Sequence, residues 1–370
     1  MKYWLFLVIS LFFLLSSCVS PTGTNVPPLA TDSLISSTPI VPTHAPPVPP
    51  TETPMPPALQ PEPKSISVTL QRGVNMGNML EAPNEGEWGL FVEEVYFDLI
   101  KEAGFDFVRL PVRWNTHAQE EWPYTIAPAF FARVDEVLRW ALERNLMVII
   151  DFHHYEEMAQ DPWSHKDRFL EIWKQVAEHY KDYPSNVLFE LLNEPNGQLN
   201  AALWNEYSIE ALKIVRETNP TRDVVIGPVS WNAYNWVSTL DIPEDSHLIV
   251  TFHYYLPFQF THQGAEWVDG SEPWLGTSWD GTDKEKAEIT GHFDSVADWA
   301  QQHNARILLG EFGAYSKADM ESRVRWTDFM TREAERHGFA WAYWEFGSGF
   351  GVYDPDARQW RDELLRALVP

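Results

Sequence analysis

Short apolar runs bounded by polar, glycine or proline punctuation alternate with longer stretches of helical period over residues 65–370. Eight such runs stand out, at residues 72–78, 107–112, 147–154, 187–194, 224–228, 248–255, 307–311 and 339–344. Helical patterns fall between them at 91–103, 129–144, 166–180, 201–217, 285–303 and 317–337, with a last one at 362–368. The stretch behind the fifth run carries no clear helical period. Near-continuous apolar strands predict burial on both faces, and eight strand–helix units predict an α/β fold, the closed (β/α)8 TIM barrel. An open doubly wound sheet is the alternative. No glycine-rich phosphate fingerprint follows the first run, which weighs against it.

Ahead of residue 65 the pattern changes. Met1 and Lys2 precede an apolar run over residues 3–15 that is too short to span a bilayer comfortably, which predicts a signal peptide over residues 1–18. Leu15-Ser16-Ser17-Cys18 resembles the lipobox of bacterial lipoproteins. That resemblance implies cleavage before Cys18 and acylation of it, making Cys18 a lipid anchor on the membrane; an ordinary secretory signal is the alternative. Either predicts an extracellular location, cell-surface or secreted. Residues 19–64 hold 14 of the 28 prolines, mixed with Thr and Ser, and almost no large apolar side chains. They predict a disordered Pro/Thr-rich linker acting as a semi-rigid tether.

Charge narrows the function classes. The chain has 53 acidic and 27 basic side chains, a formal net charge of −26, and one cysteine. A disulfide framework and a zinc ribbon both need more cysteines, and nucleic acid needs a basic face. Lys2, Lys64, Asp32, Glu52 and Glu62 are the only charges before residue 65, so the acidity belongs to the barrel segment, 65–370.

Polar and aromatic residues cluster at the C-terminal ends of the apolar runs: Arg109, His153, His154, Asn193, Glu194, His253, Tyr255, Glu311 and Trp344. In a (β/α)8 barrel those ends form one rim, where such enzymes carry their active sites. Six segments would converge there. Glu194 and Glu311 stand out because glycoside hydrolysis needs one acid for the leaving oxygen and one carboxylate near the anomeric carbon.

Leu-Leu-Asn-Glu-Pro around Glu194 and Leu-Gly-Glu-Phe-Gly around Glu311 resemble the acid/base and nucleophile signatures of glycoside hydrolase family 5. Gly-Val-Asn-Met-Gly-Asn, Arg-Leu-Pro-Val-Arg-Trp, Asp-Phe-His-His-Tyr, Phe-His-Tyr-Tyr and Trp-Ala-Tyr-Trp-Glu-Phe are similar to the family in the same order. The runs Leu-Glu-Ala-Pro-Asn-Glu-Gly-Glu-Trp-Gly and Phe-Thr-His-Gln-Gly-Ala-Glu-Trp resemble the branch whose endoglucanases also cut mannans. The resemblance implies a retaining endo-β-1,4-glucanase, with Glu194 as acid/base and Glu311 as nucleophile. It implies support from Arg109, His153, Asn193, His253, Tyr255 and Trp344, with Asn193 on the sugar 2-hydroxyl and Trp344 as the floor beneath the cleaved sugar. Arg109, Tyr255 and His253 would keep Glu311 ionised, while Glu194 needs a raised pKa.

Seventeen of the 18 tryptophans lie in the barrel segment. A flat aromatic face suits the apolar C–H face of a pyranose. Trp231 and Trp267, with Asn78, Glu81, His154 and His262, are expected to line neighbouring substrate-binding subsites, whereas Trp140, Trp173 and Trp299 are expected in the core. The expected partner is a neutral β-linked polysaccharide: cellulose, β-glucan, glucomannan, mannan or xyloglucan. No cofactor and no metal are expected. Asp151, His153 and His154 suggest a ligand cluster, but alternation along a strand would turn the two histidines apart unless the strand has already ended. A monomer is expected, with a non-catalytic glycan-binding lipoprotein as the other function class.

Overall fold

Eight short strands close into a parallel barrel in which each pairs with its sequence neighbours and the last returns to the first. They are β1 (Arg72–Asn75), β2 (Phe107–Val112), β3 (Met147–Phe152), β4 (Val187–Glu190), β5 (Val224–Ile226), β6 (Leu248–His253), β7 (Arg306–Glu311) and β8 (Ala340–Tyr343). This computed structural model describes residues 70–370. The expected signal peptide, linker and Cys18 anchor lie outside the described residues.

Alternation along the strands sorts their side chains into two sets. Phe107, Met147, Ile149, Leu188, Val225, Ile249 and Leu308 fill the barrel interior as one cluster. Val108, Leu110, Val148, Ile150, Phe189 and Val250 face outward into the larger cluster shared with the helices. Full burial of a Leu, Ile or Phe is worth about 1.5–3 kcal/mol, so truncating Leu188 to Ala inside the barrel is expected to destabilise by about 2–5 kcal/mol.

The inward phase turns polar toward the strand C-termini. Phe107 is followed two residues on by Arg109, Ile149 by Asp151, Leu188 by Glu190 and Ile249 by Thr251 and His253, and all of these polar residues are buried. A polar layer therefore lies on the apolar plug. A register shift between β6 and β7 leaves Gly310 unpaired and brings His253 opposite Glu311. A Cβ at Gly310 would collide with Thr251 Oγ1 and stand 3.1 Å from His253 Nε2, so glycine is required by close approach.

The helices run over Glu94–Ala103, Pro128–Glu143, Pro162–His179, Ala201–Thr218, Asp283–His303, Met320–Arg336 and Asp362–Leu368. Several expected boundaries moved for identifiable reasons. Pro162–His179 starts four residues early because Asp161 caps it, accepting from the Ser164 N–H, with Pro162 in the first turn. Asp283–His303 opens on a reciprocal Thr282–Glu285 capping box. Behind β5 stand only the short turns Val229–Asn232 and Tyr234–Thr239. The runs expected for β1, β4 and β6 overran the true strand ends because Met76, Leu191, Leu192 and Tyr254 stay buried after the backbone leaves the ladder.

Candidate active site

Arg109 organises the polar layer. Its guanidinium is fully buried and spends all five donors: Nε and Nη2 on Glu190 at 2.7 and 2.9 Å, Nη2 also on Asn193 Oδ1 at 2.8 Å, and Nη1 on Asn75 Oδ1 and Glu311 Oε1, both at 2.9 Å. Asp151 Oδ2 stands 3.0 Å from Nη2 as well. One cation thus faces three buried carboxylates. Asn75 in turn donates to the carbonyls of Gly310, Ala342 and Tyr343, tying the end of β1 to β7 and β8.

Glu311 ends β7 and is 4% exposed. Arg109 binds its Oε1, and the Tyr255 hydroxyl donates to Oε2 at 2.9 Å. Glu194 lies beyond the end of β4 with a left-handed backbone, φ 49°, a conformation uncommon outside glycine that turns the chain sharply at the rim. Its side chain is 26% exposed, and its Oε1 is 2.8 Å from His253 Nδ1. His253 Nδ1 also stands 3.5 Å from Glu311 Oε2. Asn232 Nδ2 approaches His253 Nε2 at 3.3 Å, which assigns the imidazole proton to Nδ1, facing the two carboxyls.

The two glutamates have unequal surroundings. Burial pushes both above the ordinary carboxyl range, and Glu194 further. Arg109 opposes the rise at Glu194, while the charges of Asp151 and Glu190 add to it. At Glu311 the opposition comes from His253, Arg109 and the Tyr255 hydroxyl, with Glu194 pushing upward. Burial outweighs the opposing neighbours at Glu311, yet leaves it below Glu194. Their effect is to set an order, so that a single proton on the pair rests on Glu194, which has no guanidinium of its own. Burial also takes His253 down to about 4, so it is neutral at physiological pH.

His153 Nδ1 sits 3.0 Å from both oxygens of Asp151, which leaves Nε2 as the acceptor of a neutral ring. The ring lies parallel to Trp344, 5.7 Å centroid to centroid, and meets His154 edge-on at 4.4 Å. The exception to the alternation argument applies here, since β3 has ended at Phe152 and His154 takes φ 56°, so the two rings meet edge-on.

The outer residues divide. Trp231 and Trp267 stand on the rim, each 58% exposed. Three successive left-handed residues, Ser230, Trp231 and Asn232, thrust the Trp231 indole outward. A cavity of about 400 Å³ runs between His154, Glu194, Pro195 and Trp231. A larger hollow, about 630 Å³, opens at the opposite end beside Met147 and Ile249, away from the carboxylates. His262 is stacked on Phe258 and meets Tyr255 edge-on, so it braces the tyrosine that binds Glu311. Asn78 is partly open, with φ 63°.

Glu81 is a correction. It is fully buried, and its carboxyl accepts the backbone N–H groups of Asn78 and Met79. It shapes the loop behind β1 and does not line a subsite. Residues that sequence reasoning passed over are Asn75, Glu190 and Glu345, with Asp151 weighed only as a metal ligand. Glu190 shares the inward phase of Leu188, and that signal was available. Trp140, Trp173 and Trp299 are buried in the core, as expected.

Among the described residues, Glu194, His253 and Glu311 offer ligand atoms within 4.8 Å of one another, which is also the spacing of a metal site. The direct His253–Glu194 hydrogen bond engages the atoms an ion would take. Two carboxyl oxygens this close, one group protonated and one ionised, can work on opposite sides of a single bond.

Comparison with known proteins places these features in a family. Residues 70–349 match the model for Cellulase (glycosyl hydrolase family 5). Endoglucanase H of Acetivibrio thermocellus is 41% identical over 302 residues, covering 80% of this chain and 32% of that protein, so this chain spans about a third of that relative's length. A crystal structure of Thermotoga maritima Cel5A in complex with mannotriose is 50% identical with a TM-score of 0.80, covering 81% of this chain and 97% of that one. The cellulose synthase subunit Z of Clostridioides difficile is 40% identical, also at a TM-score of 0.80, covering 82% and 100%.

Proposed function

The chain belongs to glycosyl hydrolase family 5, and from that membership we propose that it is a retaining endo-β-1,4-glycanase acting on neutral plant polysaccharides. The observation that carries the reading is the Glu194–Glu311 pair, whose carboxyl oxygens approach within 4.8 Å. Retaining enzymes hold the two groups ~5–5.5 Å apart, and inverting enzymes leave roughly 6.5–9.5 Å for a water.

Glu311 attacks the anomeric carbon while the proton on Glu194 passes to the departing glycosidic oxygen, giving a glycosyl ester on Glu311. Esterification removes the Glu311 charge that favoured the proton on Glu194. Glu194 then takes a proton from water, the water oxygen attacks the anomeric carbon, and Glu311 leaves as a carboxylate. Asn193 has its Oδ1 held by Arg109, so its Nδ2 is free to donate to the sugar 2-hydroxyl. His153 Nε2 accepts from a hydroxyl of the same ring, and Trp344 forms its floor.

The substrates are β-glucans and glucomannan, extending to mannan and xyloglucan. Support comes from T. maritima Cel5A, whose structures were solved in complex with both cellobiose and mannotriose. The acidic charge disfavours polyuronates. One chain supplies the whole dyad and its supports, so the site needs no second copy. We place the enzyme at the cell surface through a lipid on Cys18; Cys18→Ser is expected to move the protein from the membrane to the soluble fraction, and unchanged membrane association would contradict the anchor. Glu194→Gln and Glu311→Gln are each expected to lower turnover of carboxymethylcellulose and glucomannan by roughly 10²-fold or more while leaving the fold intact. Near-normal turnover in either variant overturns the assignment.

A further inference from the structure

The loop between β1 and the helix Glu94–Ala103 rises on the same rim as Glu194 and Glu311, and it is built to hold its shape. Asn84 and Gly86 each accept a turn hydrogen bond, from Glu87 and Gly89. Glu85 pins the loop to the barrel wall: both of its oxygens bind the Arg133 guanidinium at 2.8 Å, and Oε1 also accepts the Val92 N–H. Arg133 closes the clasp on the Val92 carbonyl at 2.7 Å.

This clasp presents Trp88. The indole is 39% exposed, large and apolar, and contributes to no core cluster. It meets the His154 ring edge-on with centroids 5.6 Å apart. His154 meets His153 at 4.4 Å, and His153 lies parallel to Trp344 at 5.7 Å. A continuous row of rings therefore runs from Trp344, beside the carboxylate pair, out to Trp88 at the edge. Burial keeps His154 neutral, so it offers one donor and one acceptor next to the indole. An aromatic face beside a neutral hydrogen-bonding group is the composition that holds a pyranose ring without charge.

We propose that Trp88, together with His154, forms a further glycan-binding subsite at the outer end of this row, taking one more ring of a β-linked chain than the catalytic centre itself holds. The inference rests on the glycanase reading above and adds to it a preference for longer chains. Short substrates do not reach Trp88, so its contribution grows with substrate length and enters mainly through KM.

The test is kcat/KM of the full chain on cello-oligosaccharides from cellotriose to cellohexaose, for wild type, Trp88→Ala and Trp88→Phe. Trp88→Ala is expected to lower kcat/KM on the longest member by roughly three- to tenfold, with little change on the shortest, and Trp88→Phe is expected to restore most of the loss. An equal loss on every member would mean that Trp88 only braces His154, and unchanged values throughout would mean that it touches no sugar; either overturns the proposal. Wild-type protein inert on the whole series would instead fail the glycanase reading and take the subsite with it.

Discussion

Arg109 grips Glu190 in a two-pronged ion pair, Nε to Oε2 at 2.7 Å and Nη2 to Oε1 at 2.9 Å, with neither side chain exposed to solvent. Glu190 touches neither member of the catalytic pair, yet its charge raises the pKa of Glu194 and holds in place the guanidinium that binds Glu311. Glu190→Ala leaves a buried cation short of a partner and should destabilise the fold by about 3–5 kcal/mol in urea unfolding. Glu190→Gln keeps the shape and removes one negative charge near Glu194. Its alkaline limb in kcat/KM, where Glu194 loses its proton, should move to lower pH. An unmoved limb would separate Glu190 from the electrostatics of the pair.

Glu345 gives a stability prediction of definite sign. It is 1% exposed, burial pushes its carboxyl well above the usual range, and one of its oxygens has no hydrogen-bond partner. A buried acid with a raised pKa contributes full stability below the pKa of the unfolded chain, and that contribution is lost as pH rises toward the folded value. Glu81, raised to about 8, acts in the same direction. Above the range where the buried histidines titrate, the thermal midpoint should therefore fall from pH 7 to pH 9, and Glu345→Gln should make that fall shallower. An identical fall in wild type and variant would show that Glu345 ionises without penalty.

Trp231→Ala and Trp267→Ala are expected to separate binding from folding. Each indole is 58% exposed, so the loss of stability should stay within about 0.5 kcal/mol. On glucomannan both variants should raise KM with a smaller change in kcat. Unchanged KM in both would remove these residues from the sugar-binding surface.

Much of this molecule is legible in its sequence. The barrel shows because strands buried on both faces must be apolar throughout, and the rim shows because polar residues interrupt that pattern at one end of each strand. The inner polar layer is harder to see. Glu190 and Asp151 look like ordinary interruptions until the alternation is phased against Leu188 and Ile149, which puts them on the inward face beneath Arg109. Glu81 was misread because a glutamate in a loop looks available to a ligand, whereas here the backbone N–H groups of Asn78 and Met79 consume its oxygens. The two adjacent histidines come together because β3 stops at Phe152, a boundary the apolar pattern does not mark.

The central claim is that Glu311 forms a bond to sugar while Glu194, its carboxyl within 4.8 Å, first gives and then takes a proton. Two displacements at one carbon return the starting configuration. Proton NMR of the first products released from a soluble β-glucan tests this most directly: the account predicts that the β-anomer appears first and the α-anomer only later by mutarotation, and α-anomer as the first product would contradict it.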